Sequence, residues 1–166
     1  MALSQKDWRE AISRAKSAKA EIANLNPRTE ADLARLLGLA LLRSGDRRAG
    51  LQKCEEALVT ARKVNDSGVV LDANLALLEA LLAVRDSAKA LNVFHDLEPI
   101  LAANPESRWR AFNLMARSNS QYADRAKEAI GQLESLWGHD AFQQYLMRPD
   151  LQELSRPLLQ PNSAKH

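Results

Sequence analysis

Small and large apolar residues recur along this chain with a long period. A shift of 40 positions sets Leu37, Gly38 and Leu41 on Leu77, Leu78 and Leu81, and Gly50, Cys54, Ala57 and Leu58 on Ala90, Phe94, Leu97 and Glu98. A further shift of 36 carries Ala90, Phe94 and Leu97 to Ala126, Ile130 and Leu133. A step of 39 toward the N-terminus takes Gly50 to Ala11, with Ala15 and Ala18 following. Recurrence on this scale constrains the fold strongly. Each unit is too small to bury its apolar face alone, so neighbouring units must stack and share one core.

The units read as helices. Leu and Ala dominate the apolar residues, while Val, Ile, Thr and aromatics are sparse, a bias toward helix and away from strand. Ser4 and Asp7 resemble a capping box for a helix over about 5–25, with Trp8, Ala11, Ile12, Ala15, Ala18, Ile22 and Leu25 on one stripe. Asn26-Pro27 breaks the chain, Thr29 with Asp32 offers the next cap, and Gly45 supplies a stop after Ser44. Further helices are expected over about 46–64, 68–84, from Ser87, over 106–118, 122–137 and 139–147, with a last turn near 150–155. Pro99 lacks an N–H and its ring opposes the carbonyl of His95, so a kink or early end is expected there.

The small residues have a physical purpose. Gly38 and Gly50 let two antiparallel helices approach where larger side chains would hold them apart, and the Leu and Phe positions fill the space between successive pairs.

The run LLGLALLRSGDRRAGLQKCEEAL, with Leu37-Gly38, Leu41, Gly45, Gly50 and Ala57-Leu58, resembles a tetratricopeptide repeat. The long period and the segment ALVTARKVND resemble the variety with about 40 residues per repeat, found in bacterial signalling and regulatory proteins and in eukaryotic adaptors. The resemblance covers roughly residues 8–137. It implies an all-α superhelix of antiparallel helix pairs within one domain over 1–157. Residues 8–25 would be a half repeat, and 31–66, 71–104 and 107–137 full ones. Residues 139–157 would be a capping helix bearing Phe142, Tyr145, Leu146, Leu151 and Leu154, and 158–166 a flexible tail. Two departures stand out: Leu78 occupies a position where Gly or Ala is usual, and Arg85 replaces the turn glycine.

The same resemblance implies a concave groove lined by the first helix of each pair. Its face would carry Asp32, Arg35, Leu39, Leu42 and Arg43, then Asp72, Leu75, Glu79 and Leu82, then Arg110, Asn113, Arg117 and Gln121. Charged residues around an apolar strip suit an extended or helical peptide held by side chains. Some members clamp a terminal carboxylate with Lys and Asn. Here Arg35 and Leu39 stand in those places, so no such ligand is expected.

Little else in the chain points to chemistry. His95, His139 and His166 have no Cys, His or carboxylate at metal-ligand spacing, and adjacent helical residues such as His95-Asp96 point about 100° apart. Cys54 lies on an apolar stripe and reads as a packed thiol. No Gly-rich phosphate loop, nucleophile elbow or HExxH occurs, so neither enzymatic activity nor a cofactor is expected. Arg43, Arg47 and Arg48 form only a small basic patch at a turn, and a net charge of +2 from 23 basic and 21 acidic residues gives no electrostatic reason to expect nucleic acid. One cysteine excludes an internal disulfide, and neither a leader-like start nor a long apolar run is present, so the expected location is the cytoplasm, away from membranes. The expected function is protein or peptide binding, as adaptor, scaffold or regulatory sensor. The alternative is self-association into a homodimer through Leu39, Leu42, Leu75 and Leu82 or through the ends of the array.

Overall fold

A computed structural model describes residues 8–21, 26–148, 151 and 154. Among these, helices occur and strands do not. The order is α1 (Trp8–Glu21), α2 (Pro27–Ser44), α3 (Arg47–Ala61), α4 (Ser67–Ala83), α5 (Ser87–Leu101), α6 (Pro105–Ala116), a 3-10 turn at Ser120–Tyr122, α7 (Ala123–Trp137) and α8 (His139–Leu146). The all-α expectation holds. The caps expected at Ser4 and Asp7, and residues 22–25 of the first helix, lie outside the described residues.

The starts of α2 to α5 follow a rule that the repeat register alone does not display. Asn26 caps α2, its Oδ1 accepting from the Thr29 N–H at 2.9 Å. Asp46 caps α3 through the Ala49 N–H, and Asp66 caps α4 through the Gly68 and Val69 N–H groups. Asp86 accepts from the Lys89 N–H at the start of α5. An Asn or Asp thus stands every 20 residues, at 26, 46, 66 and 86. Each short side chain satisfies backbone donors that the first helical turn leaves open. The cap expected at Thr29 and Asp32 is therefore corrected to Asn26. Pro27 is compatible with the first helical position, where its missing N–H is not needed.

Of the kink or early end expected at Pro99, the early end does not occur. α5 continues through it to Leu101. Only two residues follow the proline in the helix, so it interrupts the ladder where few further bonds depend on it.

The chain divides into two compact units, Met1–Pro99 and Ile100–His166. In the first, α1 packs on α2, α2 on α3, and α4 against both α2 and α3. The α2–α3 approach is set by glycine. A Cβ placed on Gly38 would stand 2.6 Å from Cys54 Sγ, and one on Gly50 would stand 2.6 Å from Leu42 Cγ and 2.9 Å from the Leu42 backbone nitrogen. Four residues forward on α2, from 38 to 42, correspond to four residues back on α3, from 54 to 50, so the two helices run antiparallel. Leu37, Leu39, Ala40 and Leu42 of α2, Cys54, Ala57, Leu58 and Ala61 of α3, and most of α4 are buried in this unit. Ala90, Phe94 and Leu97 of α5, which are the positions related to Gly50, Cys54 and Ala57, are also buried.

In the second unit, α6 packs on α7, and α7 on α8. Trp109, Phe112, Met115, Ala126, Ile130 and Leu133 form its core together with Phe142, Tyr145, Leu146, Leu151 and Leu154. Phe112 stacks on Tyr122 with ring centroids 6.4 Å apart, and the Arg125 guanidinium lies 4.3 Å from the centre of the Phe112 ring. A guanidinium over an aromatic face adds electrostatic attraction to the packing.

Candidate functional site

The candidate residues of the first unit lie on α2 and α4, which touch. Arg43 on α2 and Glu79 on α4 join the two helices, with Nη2 and Oε1 3.2 Å apart and both side chains about one fifth exposed (21% and 19%). Just over two turns back along α2, Arg35 pairs with Asp32 at 3.2 Å. Asp72 and Leu82 on α4 are half-buried. The structure therefore places Asp32, Arg35, Arg43, Asp72, Glu79 and Leu82 at or near solvent. Leu39, Leu42 and Leu75, expected as the apolar strip of the same face, are 7%, 9% and 5% exposed. They pack inside the unit and lie beneath the face, which is charged.

Cys54 sits behind this face. Burial, and after it the negative charge of Glu79, pushes its thiol up to about 12, and the Arg35 charge opposes the shift. The thiolate is the reactive form, so this cysteine is chemically quiet.

The candidate residues of the second unit do not share one environment. Arg110 on α6 is half-buried and lies 4.0 Å from Glu106, while Arg117 and Gln121 are exposed. Asn113 is 1% exposed. Its Nδ2 donates to the backbone carbonyl of Leu154, and its Oδ1 is closed off from solvent without a hydrogen-bond partner. That contact spans 41 positions, and no local pattern announces it.

A second polar connection in this unit also escaped the sequence reading. Trp109 Nε1 donates to the Tyr145 hydroxyl at 3.1 Å, and the Tyr145 hydroxyl donates to Glu106 Oε1 at 3.1 Å. Trp137 meets the Tyr145 ring edge to face at 5.0 Å. Burial, followed by the charge of Glu106, raises the Tyr145 pKa, which keeps the hydroxyl protonated as the donor this chain of bonds needs. Both Trp109 and Tyr145 lie on apolar stripes, so helical spacing marks them for the core but says nothing of their polar ends.

Among the described residues, no three His, Cys, Asp or Glu side chains gather as a metal site would require. His139 pairs with Glu134 at 2.9 Å, and His95 lies 3.7 Å from Glu98. Among the same residues, no helix is long and apolar enough to cross a membrane. Comparison of the chain with family models, with curated proteins and with solved structures gives no match.

Proposed function

We propose that this chain is a protein- or peptide-binding module of tetratricopeptide-like helix pairs, acting as an adaptor, scaffold or regulatory sensor rather than as an enzyme. In this reading the pairs stack as a superhelix, and the ligand lies along the face shared by α2 and α4. The observation that carries it is the Arg43–Glu79 pair. It joins α2 to α4 across 36 residues, and the same two helices carry Asp32, Arg35, Asp72 and the half-buried Leu82. Paired charges on a firm helical platform hold side chains in fixed positions, which lowers the ordering cost of recognising a peptide.

Self-association through Leu39, Leu42, Leu75 and Leu82 draws less support. The first three are buried by the chain's own packing, which leaves little apolar area on that strip for a second copy.

Site-specific photocrosslinking tests the reading. A photoreactive amino acid at Asp72 is expected to capture a protein from cell extract, and reversal of charge at Arg35 or Glu79 should abolish the capture while the circular dichroism spectrum stays helical. Capture that ignores both reversals, or fails in the folded parent chain, would overturn it.

A further inference from the structure

Among the described residues, Asn113 is a buried amide in a largely apolar interior. A primary amide offers two donors and one acceptor oxygen. Here one donor reaches the Leu154 carbonyl, and the buried oxygen has no partner. A shielded polar atom left unmet costs free energy, whereas an apolar side chain of similar size in the same place would cost little or nothing. The amide is therefore poorly explained as a structural tether alone. It is well explained as a reader of a peptide group. A main chain lying alongside it can give a carbonyl to its N–H and an N–H to its oxygen, and the chain's own segment supplies only the first.

The present occupant also states what the site accepts. Leu151 and Leu154, three positions apart and both helical, are buried at 1% and 9% exposure, and the carbonyl of the second meets Asn113. We propose that the face of α6 carrying Asn113 is a docking site for a partner protein's short segment with two leucines three positions apart, and that this chain's Leu151 and Leu154 hold the site closed. The inference deepens the binding-module reading and rests on it, but it concerns the second unit alone. A segment tethered in the same chain competes at an effective concentration in the millimolar range, so the closed chain should bind a free peptide weakly.

The test uses the full chain and a fluorescein-labelled synthetic peptide covering residues 148–157, followed by fluorescence anisotropy. The variant Leu151→Ser/Leu154→Ser is expected to bind this probe at least tenfold more tightly than the parent chain. Adding Asn113→Leu should reverse that gain, and a peptide with its two leucines replaced by serine should not bind. Equal affinity of parent and opened chains, or binding that ignores Asn113→Leu, overturns the proposal. Should the double variant show no cooperative thermal transition, Leu154→Ala takes its place. Independently, Asn113→Leu in the parent chain should leave the melting temperature unchanged or higher. A clear fall marks Asn113 as a tether only and also overturns the proposal. So does a concentration-dependent dimer that the probe dissociates, because the occupant would then be a second copy. Failure here with Asp72 crosslinking intact would remove this site and leave the proposed function standing.

Discussion

Gly45 and Arg85, 40 positions apart, hold the same left-handed backbone, with φ of +100° and +64°. Gly45 directly follows α2, and Arg85 lies two residues beyond the end of α4. At Arg85 the turn is closed by two bonds, Arg85 N–H to the Leu82 carbonyl and Asp86 N–H to the Leu81 carbonyl. These are the two bonds of a helix terminus that normally ends on glycine. At Gly45 the corresponding N–H reaches the Leu42 carbonyl. The repeat is thus carried by backbone conformation even where the residue type departs from it.

This relation predicts opposite effects for two substitutions. A non-glycine side chain at positive φ costs roughly 1–2 kcal/mol, part of which returns as unfolded-state entropy when glycine replaces it. Arg85→Gly should therefore stabilise the chain by about 0.5–1 kcal/mol, a rise of a few degrees in melting temperature. Gly45→Ala should lower stability by about 1 kcal/mol. Thermal unfolding followed by circular dichroism checks both.

Much of the fold was legible because it is written in residue size. Gly38 and Gly50 stand out among leucines at a repeating interval, and they fall where α2 and α3 come closest. The caps were less legible. Asn26, Asp46, Asp66 and Asp86 share a spacing but no longer motif, and a search for Ser or Thr followed by an acid passes over them. The charged part of the candidate face, Arg43 with Glu79, follows from the packing of α4 on α2. Leu75 lies beneath that face for a reason visible in α4, where Val69, Leu71, Ala73, Leu75, Ala76, Leu77, Leu78, Ala80 and Leu81 are all buried. A helix apolar around most of its circumference has no periodicity to say which side faces solvent. Asn113 and Leu154 meet through tertiary packing, which short-range pattern does not encode.

Reversing Glu79 to Arg should destabilise the first unit, because it replaces the carboxylate 3.2 Å from Arg43 Nη2 by a second positive charge. Both side chains are only about one fifth exposed, so the cost should exceed that of an open surface pair, at about 1–2 kcal/mol. The exchange Arg43→Glu/Glu79→Arg should recover part of the loss. Urea denaturation of the two single variants and the double variant gives the coupling directly.

Cys54 makes the chain sensitive to alkali. Its folded pKa of about 12 lies above the ordinary thiol value of 9.0, so over that interval the folded chain retains a proton that the unfolded chain has lost. The associated stability is full below pH 9 and is lost as pH rises toward 12. A Cys54→Ala variant should show a shallower decline, measurable by urea midpoints from pH 8 to pH 11. Aromatic disulfide reagents should label Cys54 only at the rate of global opening, rising with urea.

Asp66 gives the opposite sign. The N–H groups of Val69 and Gly68 hold its carboxylate below the usual range. Its contribution is present above the unfolded-state pKa and disappears as pH falls through the lower folded value. An Asp66→Asn variant, which keeps an accepting oxygen, should flatten that acid limb when melting temperature is followed from pH 6 to pH 2.

The close approach of α2 and α3 underlies both the repeat and the face built on it. It is tested most directly by Gly38→Ala, Cys54→Ala and their combination in urea denaturation, with Gly131→Ala as reference. Nothing lies within 4 Å of a Cβ on Gly131, so that change should stabilise α7 by about 0.5–1 kcal/mol, the usual gain from alanine inside a helix. At Gly38 the new methyl meets Cys54 Sγ, and overpacking should outweigh that gain, for a net loss of about 1 kcal/mol. The account predicts that Cys54→Ala restores much of this loss in the double variant. A Gly38→Ala chain as stable as Gly131→Ala, with no coupling to Cys54, would contradict it.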